Sequence, residues 1–219
     1  MFYVKNLIAA GFGLIVLFSS STTLAQSSES AEAIRLREGS GDPLAGKEKS
    51  FLCQGCHGAD GISFEPVIPK LAGQYGKYLA KQIHDYQAGT RSHPIMNAMA
   101  ATVSDADLAD IVAYFSSQIK MQGQGLAATS LGEDIFLHGD TSKNRIACIG
   151  CHGANGKGAG PKTGMYPVLG GQHKEYIRGQ LTDFRAGYRT NSPNGIMNTM
   201  TKLLTDAEID ALAEYISAQ

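Results

Sequence analysis

The sequence predicts an all-α protein built from two tandem copies of one small helical domain. Three observations support this prediction. The string CQGCH (53–57) returns as CIGCH (148–152), and these two strings hold all 4 cysteines of the 219-residue chain. Longer segments recur in the same order, and their apolar residues follow the helical spacing of i, i+3, i+4 and i+7. No stretch alternates between apolar and polar residues for long enough to indicate a sheet.

The N-terminus, residues 1–25, has the pattern of a secretory signal peptide. Lys5 supplies a positive charge, an apolar run follows over 7–18, and small residues precede Ala25, after which we expect cleavage. A membrane-spanning helix needs about 20 apolar residues, so the short run favours a cleaved signal, with an uncleaved anchor as the alternative. Residues 26–41 are polar and predict a flexible leader. We therefore expect the mature protein in the periplasm.

The repeat is visible well beyond the cysteines. The segment 71–91 matches 169–189 at an offset of 98, and 104–118 matches 205–219 at an offset of 101. The growing offset indicates small insertions in the second copy. Two copies are too few for a solenoid, so the pattern predicts two globular units.

These matches predict the limits of the two domains. The N-terminal domain is expected over 42–120 and the C-terminal domain over 131–219, with 121–130 as a linker of glycine and small polar residues. A linker this short predicts that the domains pack face to face as a pseudo-twofold pair. The formal net charge of −1 gives no reason to expect a nucleic acid or an acidic lipid as a partner.

Helix ends are marked in both units. The last helix of each unit is expected to begin at Ser104 or Thr205 as N-cap, and Glu208 completes the better capping box. The middle helices are expected to end at Gly89 and Gly187. A buried stripe is predicted for the last helix of the first unit, formed by Leu108, Ile111, Val112, Phe115 and Ile119.

Three chemistries use Cys-x-x-Cys-His. In covalent haem attachment, two thiols add to the two vinyl groups of one porphyrin and the adjacent histidine ligates the iron. Thiol redox pairs usually follow a strand in a βαβ unit, and no strand is predicted here. A zinc site would have to join two cysteine pairs that are unusually far apart in the chain. The doubled motif therefore predicts two haems c, attached at Cys53, Cys56 and His57 and at Cys148, Cys151 and His152.

A sixth iron ligand should appear in both units if they are copies. None of the histidines outside the motifs (His84, His93, His138 and His173) has a counterpart in the other unit, whereas two methionine pairs repeat: Met96 with Met197, and Met99 with Met200. The spacing of these residues does not decide which pair supplies the ligands. The repeated Arg91 and Arg189 are expected either to pair with haem propionates or to be solvated.

The chain resembles the cytochrome c4 family of dihaem electron carriers. The resemblance covers about 42–219 and is based on C-x-x-C-H-G-x-x-G, a later P-x-L-x-G-Q and an Ile-Met pair before a capped helix, all present in both halves. It implies two class I cytochrome c domains, with Met96 and Met197 as sixth ligands and Met99 and Met200 as packing. It also implies that the carbonyl groups of Pro69 and Pro167 accept a hydrogen bond from the haem-ligating histidines.

The function implied by this resemblance is electron transfer between respiratory partners, with no catalytic residue. The expected partners are membrane respiratory complexes, a small copper protein or another cytochrome, and peripheral contact with the membrane is compatible with them. A dihaem peroxidase is disfavoured because both units offer methionine and no histidine or glutamate repeats beside it. The alternative that stays open is a cytochrome subunit of a periplasmic dehydrogenase complex.

Overall fold

The computed structural model describes residues 41–125, 130–143, 145–160 and 164–219. All regular elements within these ranges are helices, and the β pairing there is limited to an isolated bridge between Asp140 and Arg145. The expected signal peptide, and the expected leader up to residue 40, lie outside the described residues. Across the ranges given above, no helix is both long enough and apolar enough to cross a bilayer.

The described helices form two series of five in the same order. The N-terminal half contains α1 (Pro43–Lys49), α2 (Phe51–His57), α3 (Gly76–Gln87), α4 (Pro94–Ala100) and α5 (Asp105–Ser117). The C-terminal half contains α6 (Ser130–His138), α7 (Ile149–His152), α8 (Lys174–Ala186), α9 (Ile196–Thr201) and α10 (Asp206–Ala218). Short 3₁₀ turns lie at Thr141–Lys143, Ala154–Gly156 and Pro193–Gly195. The prediction of an all-α tandem duplication is confirmed.

The first helix of each half crosses the last one, α1 on α5 and α6 on α10. A Cβ atom on Gly46 would lie 1.9 Å from the carbonyl oxygen of Asp110, and one on Gly132 would lie 2.0 Å from that of Ala211. These distances are far shorter than any van der Waals contact. The two backbones can therefore approach this closely only because both positions are glycine.

The predicted helix ends agree with the structure, and the predicted buried stripe of α5 agrees with one exception. Thr205 and Glu208 form a reciprocal capping box at the start of α10, and Gly187 ends α8 with a left-handed φ of 80°. The exception is Ile119, which was expected on the buried stripe of α5 but is 86% exposed. Helix α5 ends at Ser117 and Gln118 is extended, so the helical spacing no longer applies at Ile119.

Each half has its own apolar core. The N-terminal core is built on Leu79 of α3 and the apolar face of α5. The C-terminal core joins Phe136 of α6, Ile177 of α8 and the matching face of α10. A third cluster joins Tyr75, Met121 and Val168, which come from the first half, the linker and the second half. The two domains are thus packed on each other through a small apolar contact of their own.

Two glutamines join the domains by a pair of matched hydrogen bonds each. The Gln74 amide donates to the carbonyl of Val168 and accepts from its N–H, both at 2.8 Å. The Gln172 amide does the same to Lys70, at 2.9 Å for both bonds. Gln172 follows Gln74 by the repeat offset of 98, as Val168 follows Lys70. The interface is therefore pseudo-twofold, as predicted.

The first part of the predicted linker, residues 121–125, is held in place by burial and by hydrogen bonds. The side chain of Met121 is fully buried, and the amide of Gln172 donates to its sulfur at 3.3 Å. The N–H groups of Gly123 and Gly125 donate to the carbonyls of Gln219 and Ala218, each at 2.7 Å. These bonds fix the first part of the linker against the C-terminus of the chain.

Candidate functional site

One continuous cavity of about 640 Å³ reaches both halves of the molecule. Its size is in the range of cofactor and small-molecule sites, and most of its lining is apolar. Both cysteine motifs open onto it, and so do all four methionines of the two repeated pairs, Met96, Met99, Met197 and Met200. The structure therefore brings the residues that sequence reasoning selected in each half to one shared space.

The two motif histidines have the same environment. His57 ends α2 and His152 ends α7, and both rings are buried. The Nδ1 of His57 is 2.8 Å from the carbonyl oxygen of Pro69, and that of His152 is 3.0 Å from the carbonyl oxygen of Pro167. Since a carbonyl only accepts, each Nδ1 carries the proton and donates it. The expected hydrogen bonds to both proline carbonyls are confirmed.

This geometry prepares each imidazole for a metal. Burial lowers the pKa of His57 and of His152, with the proline carbonyl acting in the opposite direction, so burial favours the neutral form of both rings. A neutral ring with its proton on Nδ1 presents the lone pair of Nε2, and the bond to the carbonyl fixes the ring orientation and makes the nitrogen a better donor. Both histidines line the cavity.

The cysteines have properties unlike those of a thiol redox pair. Burial raises the pKa of the Cys53 thiol and raises that of Cys148 to about 11. Redox-active Cys-x-x-Cys pairs need the opposite, a lowered pKa that produces a thiolate. Within the described ranges, no group of three or more His, Cys, Asp or Glu side chains is placed to hold a metal ion. The redox and zinc interpretations therefore find no support in these residues.

In each half, the helix that carries the methionines is held in place by hydrogen bonds from the asparagine that follows Met96 or Met197. Asn97 donates from Nδ2 to the carbonyls of Tyr86 and Arg91, at 2.6 and 3.2 Å. Asn198 donates to the equivalent carbonyls of Phe184 and Arg189, both at 2.8 Å. Each amide thus ties α4 or α9 to the end of the preceding long helix.

Arg91 and Arg189 are both buried, which excludes the solvated alternative. Arg91 donates to Gln82 of its own domain and to Tyr176 and Gln180 of the other domain. Arg189 mirrors this pattern, with bonds to Gln180, Tyr78 and Gln82. Each guanidinium also stacks on an aromatic ring of its own domain, Tyr86 at 4.8 Å and Phe184 at 4.5 Å. The two side chains form one network across the pseudo-twofold axis.

The charge of this arginine network can be compared with the charge of a haem. Both guanidiniums line the cavity. Within the described ranges, neither of them forms an ion pair with a carboxylate. Two buried positive charges without carboxylate partners favour an anionic occupant, because an uncompensated buried charge is costly. A haem carries two propionates on an apolar ring and so matches both the lining and the charge. The donor set also fits, with two thiols and a neutral imidazole per half.

Sequence reasoning missed the glutamines and tyrosines of the interface. Gln74, Tyr78 and Gln82 all have identical counterparts at the offset of 98, so the repeat itself contained the signal. Polar residues that are identical in both copies indicate a contact that both halves share. Their partners were not readable, because each contact crosses to the other domain.

Two tandem helical domains, each with a Cys-x-x-Cys-His segment and a fixed histidine at a shared apolar cavity, define a tandem c-type cytochrome. The family model described as Cytochrome c matches residues 44–118 and again 132–219. Cytochrome c4 of Pseudomonas aeruginosa is 45% identical over 185 residues, which covers 83% of this chain and 90% of that protein. The chain belongs to the cytochrome c family and, within it, to the dihaem cytochrome c4 carriers.

Two further similarities bear on structure and on partners. The crystal structure of reduced recombinant cytochrome c4 from Pseudomonas stutzeri matches with a TM-score of 0.77 at 42% identity, over 82% of this chain and 99% of that one. A protein named thiosulfate dehydrogenase electron acceptor, from Stutzerimonas stutzeri, is 34% identical over 185 residues and covers 82% of both chains. Family membership implies covalently bound haem c, and the two motifs fit two haems.

Proposed function

We propose that this protein carries electrons between redox proteins, using one haem c in each domain. The observation that supports it best is the pair of buried histidines, each fixed by a proline carbonyl at one shared cavity. A bound haem supplies a one-electron Fe(III)/Fe(II) couple at each site. The chain's own residues then bind the cofactors, orient the histidines and exclude water, and none of them is assigned a catalytic step.

We assign the sites residue by residue. In the N-terminal domain, Cys53 and Cys56 form the thioethers while His57 and Met96 ligate the iron. In the C-terminal domain, Cys148 and Cys151 form the thioethers while His152 and Met197 ligate the iron. A methionine ligand raises the reduction potential relative to a second histidine. This favours an acceptor of high potential, such as a terminal oxidase or a small copper protein.

Export is part of this proposal. The expected signal peptide over residues 1–25 would deliver the chain to the periplasm, and the described domains occupy residues 42–120 and 131–219 in the proposed division. There each site takes up one electron from a reduced partner and passes it to an oxidised one. A quinol-oxidising complex is the proposed donor, and contact with the membrane is then made through that complex.

A second candidate function is that this protein accepts electrons from a periplasmic dehydrogenase. It is favoured by the similarity to the proteins named as electron acceptors of thiosulfate dehydrogenase. The two candidates differ in the donor and share the same sites. Stopped-flow reduction by purified thiosulfate dehydrogenase, compared with reduction by a quinol-oxidising complex at equal concentration, distinguishes them by rate. Co-purification of a dehydrogenase polypeptide would favour the second candidate.

The central proposal is tested by intact mass spectrometry and a redox titration of the exported protein. We expect a mass that exceeds the chain cleaved after Ala25 by two haems, and two one-electron steps in the absorbance titration. A mass with one haem or none would refute the assignment. A retained N-terminus would refute only the proposed cleavage.

A further inference from the structure

Arg145 is a buried cation beside the C-terminal cysteine motif that the proposed sites do not use. It lies three residues before Cys148, lines the cavity and is only 6% exposed. Its backbone is held by the isolated bridge, in which its N–H donates to Asp140 at 2.9 Å and its carbonyl accepts from Asp140 at 2.8 Å. The position of this guanidinium is therefore determined by the loop before α7.

The hydrogen bonding of Arg145 is incomplete. Its Nη2 donates to Oε1 of Glu208 at 3.0 Å and is 3.5 Å from Oδ2 of Asp140. Its Nε and Nη1 are buried and have no acceptor in the part of the chain that the structure describes. A buried donor without an acceptor costs free energy, most of all on a charged group.

The N-terminal half lacks this buried cation. The position equivalent to Arg145, three residues before Cys53, is Ser50, a neutral side chain that is fully buried. Its hydroxyl donates to the carbonyl of Lys47 at 3.1 Å and accepts from Gln54 at 2.9 Å. The nearby cation, Lys49, has a side chain that is 36% exposed and pairs with two carboxylates.

The charges around the two sites differ as a result. Beside the C-terminal motif, Lys143 and Arg145 face Asp140 and Glu208, which makes two positive and two negative groups. Beside the N-terminal motif, Lys49 is the cation that faces Asp107 and Asp110 among the described residues. A second cavity of about 240 Å³ lies at this place, lined by Lys49, Asp107 and Cys53. The N-terminal cluster is thus more negative and more open to water.

We propose that the buried positive charge of Arg145 raises the reduction potential of the C-terminal site. The N-terminal site lacks this effect because the neutral Ser50 occupies the equivalent position. Reduction adds one electron to a site, and a fixed positive charge in a low-dielectric wall stabilises the reduced form. The duplication supplied two equivalent sites, and the difference between Ser50 and Arg145 makes their electrostatic environments unequal. The proposal rests on the haem assignment made above.

The first test is a redox titration of the Arg145→Met variant of the complete holoprotein, followed by absorbance. We expect the constant for electron exchange between the two sites to change on the order of tenfold, which is the effect of one unit charge about 12 Å from another at an effective dielectric constant of about 20. For one electron, a tenfold change corresponds to about 59 mV. The C-terminal step should move down and the N-terminal step should stay. Met197→Ala identifies which step is the C-terminal one.

Three more variants separate charge from packing. Arg145→Lys keeps the charge and should keep most of the potential. Glu208→Gln removes the negative partner and should move the C-terminal step upward. Lys49→Met is the matched control in the other domain, and its shift should be smaller because solvent and salt screen an exposed cation. A lysine variant that shifts as far as the methionine variant, or a Lys49→Met shift as large as that of Arg145→Met, overturns the proposal.

The design also covers a variant that fails to fold. In that case Glu208→Gln decides alone, and an unchanged or lowered C-terminal potential refutes the role of Arg145. Failure of the haem assignment is seen separately, because the wild-type protein would then not show two one-electron steps. A wild type with two steps and an Arg145→Met protein with unchanged steps refutes only the present inference.

Discussion

At Pro69 and Pro167, a single backbone carbonyl determines what the neighbouring histidine can do. Because each carbonyl accepts a hydrogen bond from Nδ1–H, Nε2 of His57 and of His152 is left as the nitrogen that can ligate a metal, and both histidines line the cavity. The asparagines after Met96 and Met197 act at the same scale by fixing the helices that carry the methionines. Single hydrogen bonds therefore orient both candidate ligands of each site.

The choice between Met96 and Met99 is a prediction at the residue scale. Replacing Met96 by alanine should remove about half of the weak near-infrared sulfur-to-iron charge-transfer band and lower one potential, since a thioether favours Fe(II). Met99→Ala is the matched control and should keep the band, because Met99 is expected only to pack. A band lost in the Met99 variant and kept in the Met96 variant would reverse the assignment.

At the scale of elements, the crossing of the first and last helices builds each domain. Gly46 and Gly132 let the backbones meet, and the caps at Ser104 and Thr205 determine where α5 and α10 begin. The helices that carry the cysteine motifs are short, 7 residues in α2 and 4 in α7. Such short helices are marginal by themselves, so the packing of Cys53, Cys148 and Ile149 against the apolar cores stabilises them.

The close crossing predicts a strong effect of Gly132→Ala. The added methyl group would overlap the backbone of Ala211, and relief of that overlap should cost about 1–3 kcal/mol of unfolding free energy. Gly179→Ala is the matched control on α8, where the methyl group meets no atom within 4 Å. It should stabilise the helix by about 0.5–1 kcal/mol. Chemical denaturation of both variants checks the difference, and equal stabilities would contradict the close contact.

The cap of α10 predicts a specific pH dependence. Burial raises the pKa of Glu208, but the Thr205 N–H, Arg145 and Lys143 outweigh it and lower the pKa from 4.5 to about 2. A carboxyl whose pKa is depressed by folding stabilises the protein above the unfolded pKa, and this contribution is lost as pH falls from about 4.5 to about 2. Glu208→Gln should flatten the unfolding free energy over that window.

Asp107→Asn provides the control for this pH effect. Asp107 occupies the same position in the cap of α5, and its bonds to Ser104 and Lys49 lower the pKa of its carboxyl. Its side chain is 45% exposed, however, so solvent screens these partners and the variant should flatten the curve less. An Asp107→Asn effect larger than that of Glu208→Gln would show that burial does not control the response.

At the scale of the whole molecule, the two domains share one cavity and one polar network. Arg91 and Arg189 each bond to one glutamine of each domain and to a tyrosine of the other domain, so neither domain completes its side of the cavity alone. Gln74 and Gln172 pair with backbone groups across the same interface. A network of this kind holds the two proposed haem sites in one fixed relation, which suits transfer between them.

Removing the interface glutamines should separate the domains thermodynamically. The double variant Gln74→Ala with Gln172→Ala leaves backbone groups of Val168 and Lys70 without partners, at a cost of about 1–3 kcal/mol for each buried group. Calorimetry should then resolve two unfolding transitions, whereas we expect a single transition for the wild type. Gln118→Ala, whose amide bonds only within its own domain, serves as control. A single unchanged transition in the double variant would contradict this role.

The sequence by itself determined the elements and the motif chemistry of this protein. Helical periodicity, the caps at Ser104 and Thr205 and the repeated Cys-x-x-Cys-His depend on residues close together in the chain, so they are readable without coordinates. The placement of Pro69 beside His57 followed from the family resemblance. The spacing of Met96 and Met99 did not separate them, because residues three apart share one helical face.

Only the tertiary structure decided how the two halves meet and differ. The bonds of Arg91 and Arg189, the glutamine pairs and the buried linker residue Met121 all join residues far apart in the chain, and no local pattern encodes which pairs meet. The same is true of Arg145, which reads as an ordinary charged loop residue. Its burial arises because the bridge to Asp140 and the cap at Glu208 enclose it, and those contacts exist only once α6 and α10 have packed.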